Sequence, residues 1–174
     1  SENQVYADID GNIGDKPAGL FPRRPNWDGL LPVPGDGRYE WDGFHDMDVL
    51  PVEFNPERGF TGTANSMNLP ADYPIDRYKV AFEWSEPWRY NRIWQVLSND
   101  DKHSLEASSA LQRDYRSALA ASAVAAIPAG HDTAATRMLR AWDGKLAVSS
   151  GPAALFMVWM ERHLSPAMGV RLLP

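Results

Sequence analysis

The chain has 174 residues, 44% of them apolar and 11% aromatic, about one domain's worth of sequence and enough to bury well over half of the surface that an unfolded chain exposes. Its 23 acidic and 17 basic side chains leave a formal charge of −6, which argues against a nucleic-acid binder. With no cysteine, it can form no disulfide, thiolate nucleophile or Cys-ligated metal site.

The first element is a β-rich run, Val5 to Ile13, interrupted by Asp10-Gly11. Asp-Gly can hold positive φ at both corners of a type I′ turn, so a hairpin is predicted. Residues 16–56 form a long excursion punctuated by Pro17, Pro22, Pro25, Pro32, Pro34, Pro51 and Pro56. Within it Trp27, Tyr39, Trp41 and Phe44 read as anchors pinning an irregular ribbon to a scaffold; the alternative is a stacking surface for sugars or bases. Residues 59–64 read as a second short strand that ends in a polar bend at Asn65. After Pro87, the spacing of Trp88, Ile93, Trp94, Val96 and Leu97 predicts a helix.

The composition changes near residue 100. Residues 1–100 carry 17 acids and 9 bases (net −8), residues 101–174 carry 6 and 8 (net +2), and nine of the 13 Gly and nine of the 14 Pro precede residue 75. Ser98 with Asp101 resembles a capping box, and Leu105, Leu111, Tyr115, Leu119, Ala123 and Ala126 follow at helical spacing, predicting one long helix to near Pro128. A second helix is predicted from near Asp132 to Gly144, with Ala135, Met138, Leu139 and Trp142 on one face. A third begins at Pro152, buries Ala154, Leu155, Val158, Trp159 and Leu164, and ends where Pro166 breaks it. The expectation is an α+β chain, strand- and loop-rich over 1–100 and helical over 101–174, the two parts forming one structural unit. The apolar run over 153–160 is far below the roughly 20 residues that span a bilayer, so no membrane contact is expected. The polar opening Ser1-Glu2-Asn3-Gln4 does not read as a signal peptide.

Motifs that stand for chemistry are few. Asp8-x-Asp10-x-Asn12 has the alternate oxygens of a calcium loop, but Ile13 stands where the sixth position needs Gly and Gly19 where the twelfth needs Glu. Asp36, Asp46 and Asp48 read as solvated loop acids. His45, His103, His131 and His163 show no zinc spacing, and no Gly-x-Ser-x-Gly elbow or glycine-rich phosphate loop occurs. A terminal Ser1 could use its own amine as base, although a fragment boundary leaves a residue there as readily.

Several motifs occur together and in order: Val5-Tyr-Ala-Asp-Ile-Asp-Gly-Asn-Ile-Gly14, Leu31-Pro-Val-Pro-Gly-Asp-Gly37, Trp41-Asp-Gly43, Asn55-Pro56, Gly59-Phe60, Thr63-Ala-Asn65, Tyr73-Pro74 and Arg92-Ile93. With Leu139-Arg-Ala-Trp-Asp-Gly144 and the helix beyond Ser150, they resemble the penicillin acylase family over nearly the whole chain. The resemblance implies a fragment of the αββα sandwich of an N-terminal-nucleophile hydrolase, with about three to four helices in the back half. It further implies an interior piece of the β subunit, since the family's nucleophilic Ser opens a segment well upstream of the Tyr-Ala-Asp motif. Removal of an acyl group from a β-lactam nucleus, an acyl-homoserine lactone or a similar amine is the implied activity, in the periplasm, with this stretch inactive alone.

Residue by residue, the resemblance implies that Asn65 supplies an oxyanion-hole amide and that Arg89 positions nucleophile and substrate. Ser66 stands where the family often has a second Asn. A structural calcium is implied for the full-length parent and no cofactor for this stretch, where Asp76 aligns only loosely with a ligand. Implied partners are the α subunit, the opening of the β subunit and a small acyl amide, with self-association of the exposed fragment expected. A free-standing ligand module using Trp27 and Trp41 is the competing expectation.

Overall fold

In the computed structural model, which describes residues 2–99 and 102–172, the chain divides into two units, Ser1–Lys102 and His103–Pro174. In the first, β1 (Glu2–Ala7) and β2 (Ile13–Ala18) pair antiparallel from Glu2↔Ala18 to Ala7↔Ile13. The hairpin is as expected, but its turn is wider than type I′. Gly11 alone of the Asp10-Gly11 pair takes positive φ (+84°), and the loop closes through Gly11 N–H to Asp8 O at 3.2 Å and Asp8 N–H to Asn12 O at 3.0 Å. The cause is the Asp8 carboxylate. It accepts from the Asp10 and Asn12 backbone N–H groups at 3.0 and 2.9 Å, from Asn12 Nδ2 at 2.8 Å and from the Tyr6 hydroxyl. An aspartate that takes up the loop's own donors stabilises this wider turn.

Those bonds, the Tyr6 hydroxyl foremost, lower the Asp8 pKa to about 2. A carboxylate depressed in the folded state adds stability that is present above its unfolded pKa, roughly 4, and is lost as pH falls through the folded value. An NMR titration is therefore expected to place the Asp8 midpoint near 2, and Asp8→Asn to remove the corresponding acid limb of the stability profile. A midpoint in the ordinary carboxylate range would refute this.

β2 also pairs antiparallel with β3 (Glu53–Phe54), through Gly14↔Phe54 and Asp15↔Glu53, giving the sheet order β1-β2-β3. The strands approach so closely at Gly14 that a Cβ there would lie 2.7 Å from the Glu53 carbonyl oxygen. The third strand is thus at 53–54, and residues 59–64, expected to be a strand, run outside the sheet. Their apolar side chains pack on a helix instead: the Phe60 ring meets Trp94 edge-on at 5.1 Å, and the space a Cβ would fill at Gly62 lies 3.0 Å from Ile93 Cγ2.

The long loop is tied down by backbone bonds rather than by its tryptophans. Pro22 and Phe44 form an antiparallel bridge, flanked by Arg23 N–H to Gly43 O at 2.9 Å and His45 N–H to Phe21 O at 2.8 Å. This seats Phe21 with Leu50 and Val80 in a small core, against Leu69, Tyr73, Ile75 and Tyr78. Trp41 and Phe44 are exposed and Trp27 and Tyr39 half-buried, so the buried anchor is Phe21. Trp27 spends its indole N–H locally, on Leu31 O at 2.9 Å. Beyond the short helix α1 (Ile75–Tyr78), α2 (Trp88–Leu97) follows Pro87 as expected.

The second unit is helical, with α3 (Leu105–Leu111), α4 (Ala118–Ala125), α5 (Ala134–Arg140), α6 (Gly151–Trp159) and α7 (Ser165–Leu172). Ser104, Ser117, Thr133 and Ser150 cap the first four, each side-chain oxygen accepting a backbone N–H of the first turn. Asp101 of the expected capping box lies outside the described residues, as does Ser1. The single long helix expected to Pro128 is broken between α3 and α4, because residues 115–117 pair with 144–146 instead. Ser117 N–H reaches Gly144 O at 2.9 Å, Leu146 N–H reaches Tyr115 O at 3.0 Å, and Arg116 Nη1 reaches Asp143 O at 2.7 Å. Tertiary pairing here overrides helical periodicity.

Pro166 does not end the last helix. One π-helical turn, Met160–Leu164, joins α6 to α7, with Ser165 N–H bonding five residues back to Met160 O. The wider turn accommodates a proline that a regular helix interior would not. Ala120, Leu139 and Phe156 are buried at the centre, and Phe156 contacts Trp142 and Trp159 at ring distances of 5.6 and 6.3 Å. Beside this core lies an apolar groove of about 780 Å³ lined by Leu119, Leu155, Val158, Trp159, His131 and His163 among others. Among the described residues no helix is long and apolar enough to cross a membrane.

Candidate functional site

Asn65 ends the segment that packs on α2, and its backbone is left-handed, φ +58°. Asparagine is among the few non-glycine residues that visit this region routinely. It is exposed, yet Ala64 and Ser66 on either side are 8% and 6% exposed, and its carbonyl accepts from Ser85 N–H at 3.0 Å. The chain is therefore held at both neighbours while the side chain stays accessible.

Arg89, in the first turn of α2, donates from Nη2 to Asn65 Oδ1 at 2.8 Å. A guanidinium has donors only, so the atom facing it must be the amide oxygen, and the two Nδ2 hydrogens are turned away from Arg89. The structure thus joins the two residues singled out in the sequence, which lie 24 positions apart.

Arg58 joins the segment leading to Asn65 to the helix that carries Arg89. Its guanidinium lies over the Phe60 and Trp94 rings at 5.3 and 5.0 Å and pairs with Glu53, which also accepts from Thr61 Oγ1 at 3.0 Å. Residues 58–61 are thereby fastened to β3 on one side and to α2 on the other. Sequence reading missed Arg58 and Glu53, for which a five-residue spacing on loop and strand carries no signal.

Asn65 lines a polar cavity of about 810 Å³ together with Asn3, Ser66, Asn68, Phe82 and Trp84 among others. Asp15 on β2 is 8% exposed. Burial raises its pKa; a hydrogen bond from Asn68 opposes this, Glu53 adds to it, and Arg58 opposes it. Asp76, the loosely aligned calcium candidate, is exposed on α1, and among the described residues no group of three or more His, Asp or Glu gathers to hold a metal ion.

An accessible amide with its oxygen engaged and its N–H groups turned elsewhere, at the edge of a cavity, is an arrangement that suits stabilisation of an oxyanion. The family model for penicillin amidase matches residues 1–172, and the chain belongs to that family. It is 35% identical to the acyl-homoserine lactone acylase QuiP of Pseudomonas syringae pv. tomato, over 91% of this chain and 21% of that protein. It is 37% identical to the penicillin G acylase of Escherichia coli, over 62% of this chain and 12% of that protein. A solved structure of a thermostable penicillin G acylase from Alcaligenes faecalis matches 98% of this chain and 33% of that chain, with a TM-score of 0.67 and 26% identity. The chain accordingly has the α+β fold of this family and spans about 21% of the length of its QuiP relatives.

Proposed function

We propose that the protein is an amidohydrolase that cleaves linear amides by acyl transfer to an N-terminal serine, and that this stretch supplies the oxyanion donor. The observation that supports this most directly is the hydrogen bond between Arg89 and Asn65 Oδ1, in a chain whose relatives include acylases. As a nucleophile adds to the amide carbonyl, charge builds on its oxygen, and Nδ2 of Asn65 donates to it. The amide is neutral and already oriented, so no reorganisation is needed as the charge develops; such a donor contributes about 3–4 kcal/mol. Arg89 acts through Asn65 by fixing the amide plane and polarising it. The acyl amide is of the kind the relatives' names state, an acyl-homoserine lactone or a penicillin.

On this reading the chain is part of an αββα sandwich completed by an α subunit and the opening of the β subunit, which brings the nucleophile. Periplasmic location and a structural calcium belong to that complete protein. Self-association of the isolated chain through the apolar groove beside α6 belongs to the same reading. The full-length protein is expected to hydrolyse a chromogenic phenylacetyl or fatty-acyl amide, and the pure 174-residue chain to release no chromophore. Turnover by the isolated chain would sink the claim that its attacking group lies elsewhere.

A further inference from the structure

The Asn65 turn is gripped on both sides by one side chain. Asn3, on β1, donates from Nδ2 to Thr63 Oγ1 at 2.8 Å, and its Oδ1 accepts from Asn68 Nδ2 at 3.2 Å. A chain of polar contacts therefore runs from Asn68 through Asn3, on β1, to Thr63, with Asn65 between the two points where it meets the loop. Asn3 and Asn68 line the same cavity as Asn65.

We infer that Asn3 is a positioning residue for Asn65, clamping the backbone at Thr63 and Asn68 so that the left-handed turn between them keeps its geometry. The inference rests on the amidase reading of Asn65. Asparagine tolerates φ +58° but does not select it, so the surroundings decide whether the turn holds that geometry. The Ser85 bond holds the Asn65 carbonyl, and Arg89 holds the side-chain oxygen. Neither fixes the chain before and after. The Asn3 amide does both at once, using donor and acceptor together, from a strand held in the sheet. If the clamp is released the turn relaxes, and a displacement of about 1 Å at a catalytic donor can lower a rate by roughly a hundredfold.

The test uses the full-length protein. Thr63→Val keeps the shape of the side chain but removes the acceptor, whereas Thr63→Ser retains the hydroxyl. Thr63→Val and Asn3→Ala are each expected to lower kcat at least about tenfold with KM within about twofold, Thr63→Ser to stay near wild type, and the double variant to be no worse than either single one. Unchanged kcat with only a lowered unfolding midpoint would overturn the inference and leave the amidase reading standing. Should the wild-type protein hydrolyse no acyl amide, the amidase reading falls, and the clamp is read from the side-chain NH2 resonances of Asn65, identified by their loss in Asn65→Asp. A shift of those resonances in Thr63→Val supports the clamp; no shift rejects it.

Discussion

Replacing Asn65 by glycine in the full-length protein is expected to lower kcat by about a hundredfold or more with little change in KM, the loss usual for one oxyanion donor. Glycine is the informative substitution because it accepts φ +58° freely, so the backbone turn survives while the amide is lost. Alanine would add strain of about 1–2 kcal/mol in the left-handed region, and its effect would mix folding with chemistry. Asn65→Asp makes the complementary point. It keeps the shape and gains an ion pair with Arg89, yet offers no hydrogen to an oxyanion, so its kcat should fall at least as far. Steady-state kinetics on a chromogenic acyl amide decide the matter. A glycine variant with wild-type kcat would remove Asn65 from the mechanism.

Arg89→Met is expected to lower kcat by roughly ten- to a hundredfold, in line with about 1.5–3 kcal/mol for a hydrogen bond to a charged group. Arg89→Lys should recover only part of this, since an ammonium keeps the charge without the planar donors that set the amide plane. If Arg89 acts through Asn65, the pair Asn65→Gly/Arg89→Met will be no slower than Asn65→Gly alone, because an orienting residue has nothing left to orient. Fully additive losses in that double variant would show that Arg89 acts on substrate or nucleophile independently of Asn65.

The elements legible in the sequence are those whose signal is local. The β1–β2 hairpin, α2 after Pro87, and the cap of α5 near Asp132 all follow from turn, capping or periodic residues within a few positions. What was hidden depended on partners far along the chain. Residues 59–64 have strand-forming side chains, but the edge beside β2 is taken by Glu53–Phe54, and Phe60 and Gly62 pack on α2. Helical spacing runs unbroken from Leu105 to Ala126, yet the pairing of 115–117 with 144–146 interrupts it. Pro166 has the look of a terminator, and only a π turn, invisible to a period of 3.6, lets the helix pass it. At the site, Asn65 and Arg89 were accessible through family resemblance. Asn3, Asn68, Arg58 and Asp15 were not: Asn3 meets Thr63 and Asn68 across 60 and 65 positions, Asp15 pairs with Glu53 and Arg58 lies over Trp94 far along the chain, and no spacing rule encodes such contacts.

The close approach at Gly14 ties the sheet to the Asn65 turn by a route that bypasses the cavity. A methyl group at position 14 would force β3 outward at Glu53, whose carboxylate grips Arg58 and Thr61. Arg58 is wedged against Trp94, so the disturbance would travel along the loop toward Asn65 and sideways into the helix bearing Arg89. The smallest side chain in the hairpin thus acts as a spacer gauge for machinery half a hundred residues downstream. Position 14 is constrained by clearance rather than by chemistry, and alanine there would disturb the Asn65 turn while touching neither Asn65 nor Arg89.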